Sequence, residues 1–152
     1  MSNDGTFPDA SLWKEVLDTC GSFQLRRASR SVTQLYDDIL QPVGLRSTQV
    51  VILVMLALEE EMGLARLARE LVLSPSTLSR TLRPLQRDGL VSVANTGRRG
   101  KSARLTQHGR ETLLAVVPYW QRAQQKFVEQ VGEEDWRELA ARLGSTVSAI
   151  RR

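Results

Sequence analysis

The sequence predicts a mostly α-helical protein with one β-hairpin, and three observations lead to this prediction. Apolar residues recur at helical spacing over most of the 152 residues. Two short runs with strand character flank a glycine-containing segment at residues 95–101. The composition, 41% hydrophobic and 25% charged, is typical of a globular protein. A chain of this length can bury its own core without disulfides or metals, so we expect one compact domain overall.

The first predicted helix covers residues 11–40, where apolar residues from Val16 onward follow a helical period that Gly21 interrupts only mildly. It ends before Pro42, because the residue that precedes a proline disfavours the helical conformation. Residues 1–10 contain glycine and proline among polar residues, so we expect a flexible N-terminus without a signal peptide. No apolar run approaches the roughly 20 residues that span a bilayer, and we expect no membrane partner.

Two helices separated by a polar break follow the proline. Residues 45–58 are apolar almost all round, which predicts a core helix. After the break at residues 59–63 the next helix is short and has one apolar face, formed by Leu64, Leu67, Ala68 and Leu71.

Ser74 and Pro75 signal the start of the next helix, because serine can cap the first turn and proline fits the first helical position. The helix covers residues 74–88, and Gly89 suits its C-terminal end. At 100° per residue, one face carries Leu78, Leu82 and Leu85, and the opposite face carries Ser76, Arg80, Arg83 and Arg87.

The outward face of this helix has the chemistry to read a DNA major groove. Short hydroxyls can approach base edges, and Arg80 can donate two hydrogen bonds to guanine. Arg83 and Arg87 lie further along, where phosphates are the commoner partners. With the preceding short helix it forms a helix-turn-helix unit. The predicted recognition-helix contacts are Ser74, Ser76, Thr77, Ser79, Arg80, Arg83 and Arg87. For Arg66 and Arg69, on the short helix, phosphate contact and a merely solvated face remain equal alternatives.

A basic hairpin follows at once, with predicted strands at residues 90–94 and 102–106. Its tip carries three predicted DNA contacts, Arg98, Arg99 and Lys101, which can reach an adjacent minor groove. Residues 66–110 hold ten basic and two acidic residues, a net charge of +8, so the remainder carries −4 of the total of +4. A helix-turn-helix followed by a basic hairpin predicts a winged helix that binds double-stranded DNA.

Two long helices, at residues 107–131 and 133–150, are predicted to close the chain. We expect residues 11–45 and 107–152 to form a helical dimerisation region around a winged helix-turn-helix region at 46–106. In the last helix, apolar residues step by 3, 4, 4 and 3 and form a narrow seam typical of helix packing. The predicted dimer contacts are Val16 in the first helix and Trp136, Leu139, Leu143, Val147 and Ile150 in the seam.

Four segments resemble the MarR family of transcriptional regulators: residues 64–71 (LARLAREL), 73–80 (LSPSTLSR), 85–91 (LQRDGLV) and 105–109 (LTQHG). The resemblance covers about residues 20–150. It implies an obligate homodimer that binds pseudo-palindromic DNA and represses nearby genes. It also implies release from DNA when a small ligand or an oxidant acts on the protein. Family members commonly carry an aspartate before the wing arginine. Here Asn95 and Thr96 stand in that region, and Arg99 is the best match to the arginine.

Other kinds of site have weaker support. Cys20 is a candidate redox sensor, although the sensing position of similar proteins falls at Ser22, and a lone helical cysteine is more often a small buried hydrophobe. A single cysteine forms no internal disulfide and favours a reducing cytoplasm. One histidine, His108, and scattered carboxylates predict no metal site. The sequence carries no catalytic motif, so we expect no enzyme and no cofactor, and it does not identify a ligand.

We therefore predict a sequence-specific transcriptional regulator, a repressor that a small effector releases from its operator. Two alternatives stay open. The chain could be a non-specific architectural DNA binder, or a winged helix used for contacts with other proteins.

Overall fold

The computed structural model describes residues 9–95, 97 and 100–151. Within them the helices are α1 (Ala10–Thr19), α2 (Gly21–Leu40), α3 (Ser47–Leu58), α4 (Leu64–Glu70), α5 (Pro75–Arg87), α6 (Gln107–Val131) and α7 (Glu133–Ile150). The strands are β1 (Met62–Gly63), β2 (Val91–Asn95) and β3 (Lys101–Leu105), and a 3₁₀ turn covers Gln41–Val43. The predicted fold class is confirmed. The chain divides into two compact units, Met1–Gln34 and Leu35–Arg152. The predicted split into dimerisation and DNA-binding regions stays a prediction.

In the first unit, the single helix predicted over residues 11–40 is broken at Cys20, so that prediction is wrong there. The backbone of Cys20 is extended (φ −69°, ψ 105°), and its N–H still donates to the carbonyl of Val16 at 3.0 Å. The side-chain amide of Gln24 donates to the carbonyl of Leu17 at 2.9 Å, which satisfies one of the acceptors that a helix end leaves exposed. The apolar period continues on both sides of the break, so periodicity alone did not reveal it.

In the second unit, α3, α4 and α5 surround one apolar core together with the sheet and α6. Its nine largest fully buried side chains are under 2% exposed, which shows that the faces predicted to be apolar are the ones that pack. They are Leu40, Ile52, Leu53, Leu56, Leu67, Leu78, Leu82, Leu85 and Val116.

The N-terminus of α3 is held by a side chain of α2, Asp37, and by one of its own, Gln49. The Asp37 carboxylate accepts from the Ser47 backbone N–H at 2.7 Å and from the Arg46 guanidinium at 3.2 Å. The Gln49 side-chain oxygen accepts from the backbone N–H of Arg46 at 2.8 Å. These bonds occupy donors that would otherwise be unpaired in the first turn, and they set the start of α3 two residues after the predicted one.

The sheet has three strands in the order β1-β3-β2, all antiparallel. The predicted hairpin is confirmed as β2 and β3, each shifted by one residue from its predicted bounds. Strand β1 was not predicted, because two residues have no readable period. It forms where Met62 and Gly63 pair with Ala103 and Ser102, so the loop after α3 becomes part of the hairpin's sheet.

A close approach joins the end of α5 to the start of α6. The Thr106 hydroxyl donates to the carbonyls of Gly89 at 2.6 Å and Leu90 at 3.1 Å, and accepts from the Gly109 N–H at 2.9 Å. A Cβ on Gly109 would lie 2.1 Å from the carbonyl oxygen of Leu90. The residue at this position must therefore be glycine for α6 to begin against the turn that follows α5.

Helices α6 and α7 have the bounds that their periodicity predicts. They meet at Gly132, whose φ of 95° is in the region that favours glycine. Phe127 packs edge-on against Trp136 with ring centroids 4.9 Å apart. Among the described residues, no single helix is long and apolar enough to span a membrane, while α2 and α3 pass that test only as a bent pair, by length and composition.

Candidate nucleic-acid interface

Helix α5 is oriented by its leucines. Leu78 and Leu82 are 1% exposed and Leu85 is fully buried, so this face is the one that packs on the core. The opposite face, with Ser76, Arg80, Arg83 and Arg87, is exposed as the sequence predicted. The helix therefore presents hydroxyls and guanidiniums to solvent on a rigid support.

Of the predicted hydroxyl contacts at the start of α5, those of Ser74, Ser76 and Thr77 lie together, and that of Ser79 lies elsewhere. The Ser74 hydroxyl caps the helix by accepting from the Thr77 N–H at 3.2 Å, and lies 3.0 Å from Ser76 Oγ and 2.8 Å from Thr77 Oγ1. Ser79 instead lines a groove of about 610 Å³ between α5 and the hairpin, which Lys101 also lines. The cluster of Ser74, Ser76 and Thr77 therefore adjoins this groove, since Pro75 also lines it.

Ion pairs divide the predicted arginine contacts into two groups. Arg87 makes two hydrogen bonds to the carboxylate of Asp88, at 2.9 and 3.3 Å, and this pairing raises the pKa of Arg87 and lowers that of Asp88. Arg66 pairs with Glu59 at 2.7 Å. By contrast, no ion pair within the described part of the chain involves Arg80 or Arg83. The latter two present unneutralised charge, which sequence reasoning did not distinguish from the rest.

The turn between α4 and α5 contains a strained residue. Val72 has a φ of 54°, which a β-branched side chain rarely adopts, and its side chain is 60% exposed. Beside it, the carbonyl of Arg69 accepts from the guanidinium of Arg151 at 2.7 Å, so the residue after α7 contacts the end of α4. Arg69 is exposed, and the contact of its guanidinium with a phosphate stays a prediction.

The hairpin tip is described only in part. Arg98 and Arg99, two of the predicted wing contacts, lie outside the described residues, as does Thr96. Lys101, the third, is exposed at the start of β3. The Asn95 side-chain oxygen accepts from the Gly97 N–H at 3.2 Å, and Gly97 has a φ of 69°. The tip therefore turns through a side-chain bond and a glycine, as its composition indicated.

The predicted dimer contacts are mostly exposed apolar residues within one chain. Leu139, Val147 and Ile150 of α7 are 42%, 45% and 78% exposed, and Val16 of α1 is 44% exposed. Trp136 is half-buried by its contact with Phe127, and Leu143 is half-buried as well. Cys20, the candidate redox sensor, is half-buried at the break after α1.

A cavity lies between the end of α2, α3 and α6. Its volume is about 710 Å³, and its lining is almost entirely apolar. The polar exceptions include the phenol of Tyr36, which donates to the side-chain oxygen of Gln124 at 2.6 Å, and the side chain of Arg110. Burial raises the pKa of Tyr36. The apolar lining includes Val50, Val51, Val54, Met55, Leu113, Leu114, Val117 and Trp120.

This architecture defines a winged helix-turn-helix protein: a helix presented on a leucine face, a tight turn before it and a hairpin after it. The sequence profile of the MarR family matches residues 45–94. Among curated protein sequences no match was found.

Solved structures extend the match over most of the chain. The M. tuberculosis transcriptional regulator MosR is 34% identical, with a TM-score of 0.75, over 88% of this chain and 98% of that chain. A structure of MosR in complex with DNA is 35% identical, with the same TM-score, over 88% and 99% of the two chains. AbsC, a MarR family regulator from Streptomyces coelicolor, is 31% identical, with a TM-score of 0.72, over 87% and 93%. The chain belongs to the MarR family of transcriptional regulators.

Proposed function

We propose that this chain is a homodimeric, sequence-specific repressor that reads a pseudo-palindromic operator with α5 and leaves it when a small apolar effector fills the cavity beside α3. The observation that carries the proposal is α5 itself. Three buried leucines fix the helix, and Arg80 and Arg83 stand on its exposed face without an ion pair among the described residues. MosR, over a third identical to this chain, has been solved with DNA, which supports the same partner here.

Position along α5 separates base reading from phosphate contact. Ser76 and Arg80 lie in the first half of the helix, which in helix-turn-helix proteins enters the major groove and meets base edges. Arg83 lies nearly one turn further on, where the helix leaves the groove and phosphates are the nearer partners. We therefore assign Arg80 to guanine and Arg83 to the backbone.

Arg87 and Arg66 are proposed as secondary contacts. Each already has a carboxylate partner, so a phosphate must compete with Asp88 or Glu59 for the guanidinium. Exposed ion pairs contribute only about 0–1 kcal/mol, so a phosphate can displace the carboxylate. The loss of the ion pair then offsets part of the affinity for DNA that the new contact adds. Lys101, Arg98 and Arg99 remain the proposed wing contacts.

The apolar seam of α7 supports the homodimer. Leu139, Val147 and Ile150 expose large apolar side chains on one stripe of the helix, which costs free energy in water unless a second helix covers them. A two-fold dimer also places two copies of α5 about one DNA turn apart, which matches a pseudo-palindromic site.

The cavity supports control by a small molecule. Its 710 Å³ is within the range of about 300–1,000 Å³ typical of ligand sites, and it combines an apolar lining with few polar groups. It borders α3, which packs against α5. A ligand that binds better to a conformation unfit for DNA would therefore lower operator affinity.

The DNA proposal is tested by selecting bound fragments from a random duplex pool, then measuring affinity for the selected and a scrambled duplex across a salt series. We expect a pseudo-palindrome bound at least about a thousandfold more tightly than the scramble. Tight binding of both duplexes would favour the architectural alternative, and binding of neither would favour a protein partner.

Two variants of α5 make this test specific. Arg80→Ala should lose about 1–3 kcal/mol on the selected duplex and little on the scramble. Arg83→Ala, the matched control on the same helix face, should weaken both duplexes alike and reduce the salt slope by about one. Equal losses on the two duplexes for Arg80→Ala would refute the assignment of base reading.

The dimer is tested by sedimentation of point variants in α7. Val147→Asp puts a charge into the seam and should give monomers. Thr146→Asp adds the same charge one residue away, off the seam, and should leave the dimer intact. Truncation after Gly132 should also give monomers, and a dimeric truncated chain would exclude α7 as the interface.

The effector site is tested by a panel of small aromatic acids and phenols, scored by release of the selected duplex. Val54→Trp fills the cavity from α3 and should abolish release while preserving DNA binding. Thr48→Trp adds the same bulk at an exposed position of α3 that does not line the cavity. Release that persists in Val54→Trp would place the effector elsewhere.

A further inference from the structure

The side chain of Glu61 connects the loop after α3 to the hairpin. One of its carboxylate oxygens accepts a hydrogen bond from the Ser102 hydroxyl, and the other accepts from the Arg104 guanidinium at 2.6 Å. Both partners belong to β3, the strand that returns from the hairpin tip. One carboxylate, about forty residues away in the chain, is thus bonded to two side chains of the wing.

The strand register explains why these three side chains meet. Because Met62 pairs with Ala103 and Gly63 with Ser102, Glu61 comes directly opposite Arg104. Side chains alternate along a strand, so Ser102 and Arg104 share one face, the face opposite to the buried Ala103. Ser102 is only 6% exposed, and its hydroxyl needs a partner there. Glu61 supplies that partner.

The same contact changes the charge at the root of the wing. Arg104 is three residues from Lys101, about 10 Å along an extended strand, which is close to the Debye length at 0.1 M salt. Its full charge would therefore add to the basic surface of the hairpin. With the Glu61 carboxylate 2.6 Å away, that charge is largely cancelled.

We propose that Glu61 is a positioning residue for DNA binding, which anchors β3 of the wing and withholds the charge of Arg104 from the DNA backbone. The inference rests on the proposed DNA-binding function. Because an additional unpaired arginine near the duplex raises affinity for every sequence alike, Glu61 lowers the sequence-independent, electrostatic part of the affinity and its salt dependence.

Glu61→Gln tests this inference, since the amide oxygen can still accept from Ser102 while the negative charge is lost. Its affinity for a scrambled duplex at low salt should rise about fivefold, the equivalent of one added charge near a phosphate. The slope of log affinity against log salt should steepen by about 0.9, the value for one further phosphate contact. The affinity for the selected duplex should rise by a similar factor, so the ratio of selected to scrambled affinity should stay unchanged.

Arg104→Gln and the double variant Glu61→Gln/Arg104→Gln are the controls. Arg104→Gln alone removes no phosphate contact, so its slope should fall by less than the reduction of about one expected for Arg83→Gln, while the unpaired Glu61 carboxylate lowers its affinity for the scrambled duplex. The double variant should return to the wild-type slope and scrambled affinity. Far-ultraviolet circular dichroism and thermal unfolding of each variant report whether the fold is kept.

The outcomes distinguish a failure of the proposed DNA-binding function from a failure of the role of Glu61. If the wild type binds neither duplex, the proposed function is overturned and this inference with it. If the wild type binds but Glu61→Gln keeps the wild-type slope, or binds both duplexes more weakly, only the role of Glu61 is overturned. A double variant that keeps the steepened slope, or an Arg104→Gln slope as low as that of Arg83→Gln, would also overturn it.

Discussion

Replacement of Gly109 by alanine adds a single methyl group where, of the described glycines, the backbone comes closest to its neighbours. The new Cβ would lie 2.1 Å from the Leu90 carbonyl oxygen and 2.8 Å from Leu105 Cδ1. Real Cβ atoms essentially never come within 3.0 Å of such neighbours, and the nearest one is backbone, which cannot rotate away. The first turn of α6 must therefore move away from the loop before β2 by about 1 Å or more.

The expected cost follows from what that movement breaks. The Leu90 carbonyl accepts from the backbone N–H and the hydroxyl of Thr106, both at 3.1 Å, and each such bond contributes about 1 kcal/mol. Overpacking adds about 1–3 kcal/mol. The better helix propensity of alanine returns about 1 kcal/mol. We expect Gly109→Ala to lower the free energy of unfolding by about 3 kcal/mol, a large part of the total for a domain of this size.

Urea unfolding followed by circular dichroism measures this loss, at one fixed protein concentration because dimer formation would couple stability to concentration. Gly144→Ala is the matched control. Gly144 lies within α7, and a Cβ added there would have no neighbour within 4 Å. Helix propensity alone should therefore make the Gly144→Ala variant as stable as the wild type or up to about 1 kcal/mol more stable. If Gly109→Ala were as stable as Gly144→Ala, the close approach between α6 and Leu90 would be refuted.

Three further substitutions test other parts of the structure. Val72→Gly should raise the free energy of unfolding by about 0.5–1 kcal/mol, because relief of about 1–2 kcal/mol of left-handed strain exceeds the entropy cost of glycine. A lower urea midpoint than that of the wild type would contradict this. Thr106→Val keeps the shape but removes the cap of α6, and a drop of about 1–2 kcal/mol in the same assay is expected; an unchanged midpoint would show that the hydroxyl is dispensable. Burial raises the pKa of Tyr36 above its ordinary value of 10.0, so the folded state keeps the proton longer and stability falls as the pH rises above 10. Tyr36→Phe should flatten that fall relative to the wild type, and parallel pH profiles of the two proteins would exclude Tyr36 as its source.

Much of the helical framework could be predicted because its signals are local. Ser74 and Pro75 mark the start of α5 through a cap that involves only the next three residues. The periods in residues 107–131 and 133–150 identify α6 and α7 because each helix buries one stripe of its own sequence. The three leucines of α5 likewise identified its buried face, and with it the side that carries Arg80 and Arg83.

The errors and omissions share another cause. The break at Cys20 was missed because the apolar period resumes in phase after it, and β1 was missed because two residues carry no period. The pairing of Arg66 with Glu59 joins residues seven apart across a helix boundary, so no rule of helical spacing points to it. The cavity beside α3 is formed by residues from distant parts of the chain, and most of them are ordinary apolar residues in the sequence.

The sequence by itself determined the order of the helices from α3 onward and of the hairpin, the buried faces and the basic segment, since these depend on residues close together in the chain. Only the tertiary structure decided which charges stay available. Glu61 meets Arg104 because a strand pairing brings residues 43 positions apart within 2.6 Å, whereas Arg80 makes no ion pair among the described residues. Electrostatic interactions depend on distance in space, and that distance is set by packing between elements that no local pattern encodes.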